Sequence, residues 1–302
     1  MNNQTSEEKI NNSSLLLGIA ALTVTSILGG TSYSIAKKIM EYFSPSELMT
    51  YRLFLGTLTL IVIRPSALGE LNSAKFRLAL PSAAALSLSM LFLWQGVKYS
   101  DTGLSAFLAN SEFLLIPILS YLFFKQKTSL KTGSLVALGL LGMGFLCLER
   151  GFNISFGTIF LLASATCFAC YALINTNLTR KIKPYELTLL NLSISTVFCA
   201  VAGIFQGFSF NFAPSTILPL LFLGPVMMGI RFYFITFGQS KVRASHAGLI
   251  YLCEPVTASL IGCFFLGETF SNFQIVGIFI LIATVIGSFV IAKEESYKSR
   301  FE

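Results

Sequence analysis

Four charged side chains stand inside stretches apolar enough for lipid: Arg52, Glu112, Arg231 and Glu254. A charge at the centre of a membrane helix costs roughly 2.5–3.5 kcal/mol on insertion scales. Each of the four therefore needs a partner, a proton or water, and each marks a candidate pathway. A carboxyl at that depth can accept hydrogen bonds from neighbouring helices, carry a proton, or take a cationic group of a cargo. An arginine stays charged, so it must contact an anionic cargo group, pair with a glutamate, or anchor the fold. Glu254 is followed by Pro255, which cannot donate to the carbonyl of Tyr251. That acceptor must be satisfied elsewhere or face a wet cavity. Tyr33, Trp94, Asn110, Tyr171 and Tyr251 could present further polar edges to a substrate, although aromatic residues in membrane helices commonly only pack.

Enzyme chemistry is poorly supplied. Asp101 is the single aspartate, so clustered carboxylates for metal-assisted hydrolysis are missing. Ser245-His246 is a dipeptide, with no strand–turn–helix nucleophile motif around it. No haem, zinc or phosphate-loop spacing occurs, and no cofactor or metal is implied. The six cysteines lie in or beside apolar runs, and the Cys167/Cys170 pair lacks a redox-fold context, so all six read as packing residues. His246, the only histidine, opens the ninth apolar stretch, where a solvated interface position is expected.

The elements that must position these groups follow from composition. The chain is 54% hydrophobic and 12% charged, against about 25% charged in a soluble domain. Runs of about 20 apolar residues, the length that spans a bilayer, recur throughout. Ten are expected: 15–36, 46–63, 78–97, 104–124, 130–148, 155–176, 185–205, 216–238, 245–266 and 272–292. Residues 1–14 are polar without a basic start, so a retained first helix is expected rather than a cleaved signal. With the N-terminus inside, fifteen of the 21 Lys and Arg fall at cytoplasmic positions and four outside. This basic asymmetry predicts both termini in the cytoplasm, in the cytoplasmic membrane, and accounts for the net charge of +7 without nucleic acid.

The chain also resembles itself. LWQGVKYSDTGLSAFLANSEFLLIPILSYLFF (93–124) aligns with ITFGQSKVRASHAGLIYLCEPVTASLIGCFFL (235–266) at an offset of 142, placing Gly96 on Gly238 and Glu112 on Glu254. YFSPSELMTYRLFLG (42–56) aligns with KIKPYELTLLNLSIS (181–195), placing Pro45 on Pro184 and Glu47 on Glu186. Two halves of five helices each, 1–149 and 150–302, are expected. An odd number of helices inverts the second half, an arrangement typical of secondary transporters with sites near the midplane. By helical rise, Glu112 lies roughly 12 Å along its helix from outside, and Glu254 about 13 Å along its own from inside.

Two motifs bear a wider resemblance. GGTSYSIAKKIMEYFSPSELMTYRLFLG (29–56) has a small-residue first helix, a proline before the second and an Arg52-Leu53 pair inside it. LIYLCEPVTASLIGCFFLGE (249–268) has Glu254-Pro255 in the ninth helix and Gly267-Glu268 closing it. Over its whole length the chain resembles the EamA-type family of the drug/metabolite transporter superfamily. The first half departs from that pattern: Lys125-Gln126 replaces Gly-Glu, and Phe113 replaces the proline. The resemblance implies a carrier of small metabolites, amino acids among them, with helices 1, 3, 4, 6, 8 and 9 around a central cavity. It also implies that Arg52 and Glu254 belong to the shared scaffold, and that export is favoured. The expectation is an all-α, ten-helix carrier of a small polar metabolite, working by alternating access as a monomer or homodimer in the lipid bilayer. Alternatives are an uptake carrier for a vitamin or nucleotide-like metabolite and a translocase of an amphipathic lipid-linked substrate.

Overall fold

Among the described residues the apolar runs fold as helices. The computed structural model describes residues 12–99, 108–125, 129–147, 156–208, 213–266 and 270–298, and no strand occurs among them. In order they are α1 (Asn12–Ile39), α2 (Pro45–Ile63), α3 (Ser73–Tyr99), α4 (Glu112–Phe124) and α5 (Leu130–Cys147). Then come α6 (Phe156–Leu178), α7 (Pro184–Gln206), α8 (Pro214–Gln239), α9 over 244–266, and α10 (Asn272–Lys298). Among the described residues seven of these are long and apolar enough to cross a membrane: α1, α2, α3, α6, α7, α8 and α10. The chain is an all-helical, multi-pass membrane protein. Its outer surface is what a bilayer requires, with Leu122, Ile204, Phe205, Leu218 and Phe279 all more than 60% exposed.

Two of the expected spans are interrupted. The stretch expected over 245–266 is broken at Leu252 into Ala244–Tyr251 and Cys253–Leu266. The proline at 255 removes one helical donor, and Leu252 instead bonds back to Leu249. In the stretch expected over 104–124, 104–107 lie outside the described residues, and the regular helix begins only at Glu112 after a turn at Asn110–Ser111. No proline stands there. Ser111 donates its hydroxyl to the Leu108 carbonyl at 2.7 Å, the local competition by which serine loosens a helix. Both breaks fall just before a glutamate, at the same offset of 142 residues. A third irregularity lies in α8, where Phe222–Ile230 widens into a π-helix around Pro225 before Arg231.

Helix neighbours are set by close approaches at small residues. α3 packs on α6, α1 on α8 and α9, α2 on α7 and α8, α3 on α7, α4 on α6 and α9, and α5 on α10. Where α3 crosses α6, a Cβ on Gly96 would stand 2.5 Å from Leu161 and 3.1 Å from the Gly157 carbonyl. Where α8 crosses α1, a Cβ on Gly238 would stand 2.5 Å from Leu22 and 3.1 Å from the Gly18 carbonyl. Only glycine permits either contact, as is usual where membrane helices touch.

One end of the bundle is tied by ion pairs. The α2–α3 connection presents Arg64 and Glu70, 2.5 Å apart, and Glu70 also takes Lys183, just before α7, at 2.7 Å. Lys75 reaches the buried Glu186 at 2.5 Å. The Lys183 ammonium, hydrogen-bonded to Glu70, holds that carboxyl down at about 2, below its ordinary 4.5. His246 departs from expectation: it is only 2% exposed and lies 3.2 Å from Glu295 of α10 rather than in solvent. Cys167, Cys170, Cys199, Cys253 and Cys263 are free thiols, as packing residues would be.

Candidate functional site

Polar side chains from seven helices converge on one cavity of about 70 Å³, room for a few waters. Arg52, Trp94, Asn110, Glu112, Arg231 and Glu254 all line it, so six of the nine residues singled out from sequence meet in one place. The lining comes from α1, α3, α4, α6, α8 and α9 with α2 added through Arg52. Tyr171 and Tyr251 stand behind the wall: the lining Phe168 meets Tyr171 at a tilt, 5.4 Å between centroids, and Tyr251 edge-on at 6.1 Å. The Tyr33 side chain, Gln126, and Gly267-Glu268 lie outside the described residues.

Arg231 and Glu254 form an ion pair across the cavity wall, Nη2 to Oε2 at 2.6 Å, each side chain more than four-fifths buried. Arg231 also donates from Nε to the Thr25 carbonyl at 2.7 Å. Three local features place this pair. The π-helical stretch of α8 ends at Arg231 and sets its rotation about the axis, a common use of such bulges. The break before Glu254 sets the rotation of α9. Gly29 of α1 leaves the space: a Cβ there would stand 2.5 Å from Glu254 Oε2 and would collide with Arg231 Nη2.

Arg52 is handled differently. It is 2% exposed and lies over the Trp94 ring, 5.2 Å from its centroid, with Nη1 3.8 Å from the Met49 sulfur. A cation over a tryptophan face is stabilised by the ring quadrupole. α2 and α3 are thereby joined at the cavity's edge.

Glu112 has neither kind of partner. It is 7% exposed, and its Oε2 finds no hydrogen-bond donor among the described residues. The two glutamates matched in sequence are therefore unlike in surroundings: one is neutralised by a guanidinium, the other is not.

The model of the EamA-like transporter family matches this chain twice, over residues 16–148 and 155–290. The chain belongs to that family. Among curated relatives, an uncharacterized transporter of Archaeoglobus fulgidus is 24% identical over 270 residues, 89% of this chain and 95% of that protein. The uncharacterized transporter YyaM of Bacillus subtilis is 21% identical over 290 residues, 91% and 94% of the two chains. A chloroplastic WAT1-related protein of Arabidopsis thaliana is 25% identical over 280 residues, 85% of this chain and 65% of its own length. A crystal structure with a TM-score of 0.77, covering 94% of this chain and 99% of its own at 18% identity, shares the fold.

In this EamA-like transporter several polar residues near the cavity escaped sequence reasoning. Ser89 and Ser164 line it and join α3 to α6, Ser164 donating to the Ser89 carbonyl at 2.9 Å. Deeper, Asn175 of α6 donates to Gln239 of α8 at 2.6 Å and accepts from Asn191 of α7 at 2.8 Å. Gln239 in turn donates to the Tyr251 hydroxyl at 3.0 Å. This buried network crosses four helices on the side of the cavity nearer the ion-paired end. Asn175, Asn191 and Gln239 each interrupt an apolar run, which is the signal that could have found them.

Proposed function

We propose that this membrane transporter is a secondary carrier that moves a small polar metabolite across the cytoplasmic membrane by alternating access, with export favoured. The observation that carries this reading is one cavity in which two guanidiniums, two carboxyls and an indole meet inside a shell of apolar helices, a setting in which polar groups mark a substrate path. The modest cavity supports a small cargo over a lipid-linked one.

The architecture proposed is ten transmembrane helices in two inverted repeats, 1–149 and 150–302, with both termini cytoplasmic. Helix neighbours support it. Exchanging each helix with the one five places along turns α3–α6 into α8–α1, α2–α8 into α7–α3 and α1–α9 into α6–α4, all of them observed contacts, and returns α2–α7, α4–α9 and α5–α10 to themselves. The matched glycine contacts and the two matched helix breaks support it further. Rocking of such repeats about a midplane site is the usual mechanism of this architecture.

Two measurements test the reading. A substrate screen by uptake and efflux in a transport-deficient strain, followed by counterflow in liposomes, should give saturable exchange; flux that never saturates would make it a channel. Tags at both termini should be accessible only from the cytoplasm, and a periplasmic reporter active at the C-terminus would overturn the orientation.

A further inference from the structure

Two offsets relate the halves: 142 carries α3 and α4 onto α8 and α9, and 139 carries α1 and α2 onto α6 and α7. The glycine crossings obey both, matching Gly96 with Gly238, Gly18 with Gly157 and Leu22 with Leu161. Near the midplane both members of a matched pair line the cavity, as with Ser89 and Arg231, or Glu112 and Glu254. Farther out only one member does. Ser32, Arg52, Leu93, Trp94 and Ala109 line it, whereas their counterparts Tyr171, Asn191, Ile235, Thr236 and Tyr251 do not. All five counterparts are at most 5% exposed. In the proposed orientation the cavity therefore lies in the outer half, and the matching space in the inner half is filled.

Hydrogen bonds fill it. Asn175 donates to Gln239 at 2.6 Å and to Thr236 at 3.4 Å, and accepts from Asn191 at 2.8 Å. Ser82 of α3 also donates to Asn175, at 3.3 Å, and Gln239 donates to Tyr251 at 3.0 Å. Five helices are joined, and Asn175 takes part in every bond but the last. The outer end holds no such set. Ala36, Val97 and Ala109 stand where the repeat places Asn175, Gln239 and Tyr251, and none of the three has a side-chain donor or acceptor. Arg52 and Trp94, matched to Asn191 and Thr236, already touch with the cavity present, so shutting the outer end gains no contact between them.

A conformational equilibrium is biased only by interactions that differ between its states. We propose that the Asn175 network is the seal at the ion-paired, cytoplasmic end and sets the resting conformation of the carrier. Its bonds exist only while that end is shut, and the outer end has no matching bonds to form when it shuts in turn. The protein therefore rests with its cavity turned outward, and cargo passes the cytoplasmic end only when Asn175, Gln239 and Tyr251 have parted. This rests on the carrier, repeat and orientation readings above. One net hydrogen bond biases an equilibrium by roughly two- to tenfold, so removing the hub should move the resting population visibly.

The test needs no identified cargo. Leu93→Cys reports the outer wall, and Ile235→Cys reports the matched inner position, which is 1% exposed. Each is made in the full chain and exposed in membrane vesicles, one side at a time, to a charged, membrane-impermeant methanethiosulfonate. Peptide mass spectrometry reads the rate of adduct at that residue alone. With the network intact, Leu93→Cys should react from outside and Ile235→Cys should be protected from the cytoplasmic side. Adding Asn175→Leu should raise the Ile235→Cys rate at least about tenfold and lower the Leu93→Cys rate. Tyr251→Phe removes only the acceptor of Gln239. It should move both rates the same way by about two- to fivefold, and it decides the matter if Asn175→Leu does not fold. Rates that rise together show a loosened protein and overturn the proposal. Rates that do not move, or an Ile235→Cys that reacts readily with the network intact, overturn it equally. Reaction of Leu93→Cys from the cytoplasmic side alone would overturn the orientation, while the opposite movement of the two rates would still uphold the seal. Loss of saturable counterflow with those movements intact sinks the carrier reading instead.

Discussion

Arg231→Met is the perturbation whose cost the structure defines best. Methionine fills much of the arginine stem's volume, but it leaves the Glu254 carboxylate and the Thr25 carbonyl without their donors, at 2.6 and 2.7 Å in the native protein. Breaking one partner out of a buried ion pair costs about 3–5 kcal/mol. Both side chains keep 12–14% exposure to the cavity, so the lower figure, about 3 kcal/mol or roughly a hundredfold in the folding equilibrium, is expected. Removing the second charge as well, in Arg231→Met/Glu254→Gln, should restore much of that loss, because a neutral amide is far cheaper to bury than a lone carboxylate. The assay is a double-mutant cycle on unfolding in detergent micelles. It should return a coupling above about 1 kcal/mol, within the range for residues in contact. If the single and double variants are additive to within about 0.5 kcal/mol, Arg231 and Glu254 do not act as a pair, and the positioning roles given to the π-helix and Gly29 fall with it.

Gly29→Ala should also destabilise, by about 1–3 kcal/mol as overpacking does, and should do so less in the Arg231→Met background, since the added methyl collides with Arg231; equal loss in both backgrounds refutes the steric account. Asn175→Leu removes the hub of the four-helix network and leaves Asn191 and Gln239 short of a partner, at about 1–3 kcal/mol for each group stranded, read as a lowered melting temperature. Glu70→Gln should show a pH-dependent loss: the native carboxyl titrates at about 2, below its ordinary 4.5, so its contribution is complete above pH 4.5 and fades as pH falls toward 2. The gap in melting temperature between wild type and Glu70→Gln should therefore close on acidification, and a gap that widens would contradict the ion-pair geometry.

What the sequence reveals of this site is depth, and what it conceals is rotation. Arg52, Glu112, Arg231 and Glu254 could be placed near mid-membrane by counting residues, and all four line the cavity. Which of them touch could not be counted. By depth alone Arg231 could equally face Glu112, and the choice of Glu254 depends on the π-helical turn over Phe222–Ile230 and the break at Leu252, each of which re-aims a helix face. Pro255 signalled the second of these. Pro225 was weaker notice of the first, since proline more commonly kinks a membrane helix than widens it. Serine and threonine hide their partners for another reason. Many of them here, such as Thr23, Ser87 and Thr176, bond a carbonyl one turn back in their own helix, so residue type alone does not separate these from Ser164, which bonds across to α3.

The repeat conceals as well as reveals. Matched positions invite matched roles, and on that ground Glu112 and Glu254 look equivalent. They differ because of what stands opposite them: Arg231 at one, Ser89 at the other, with Gly29 of α1 making way for the ion pair where Phe168, 139 residues on, puts a ring into the lining. Each half brings one arginine and one glutamate to the lining, but an arginine at the position of Arg231 belongs to one half only. The Arg231–Glu254 pair links α8 and α9 and is itself bonded to α1. Glu112, on a helix that likewise starts after a turn, has an Oε2 with no such donor among the described residues.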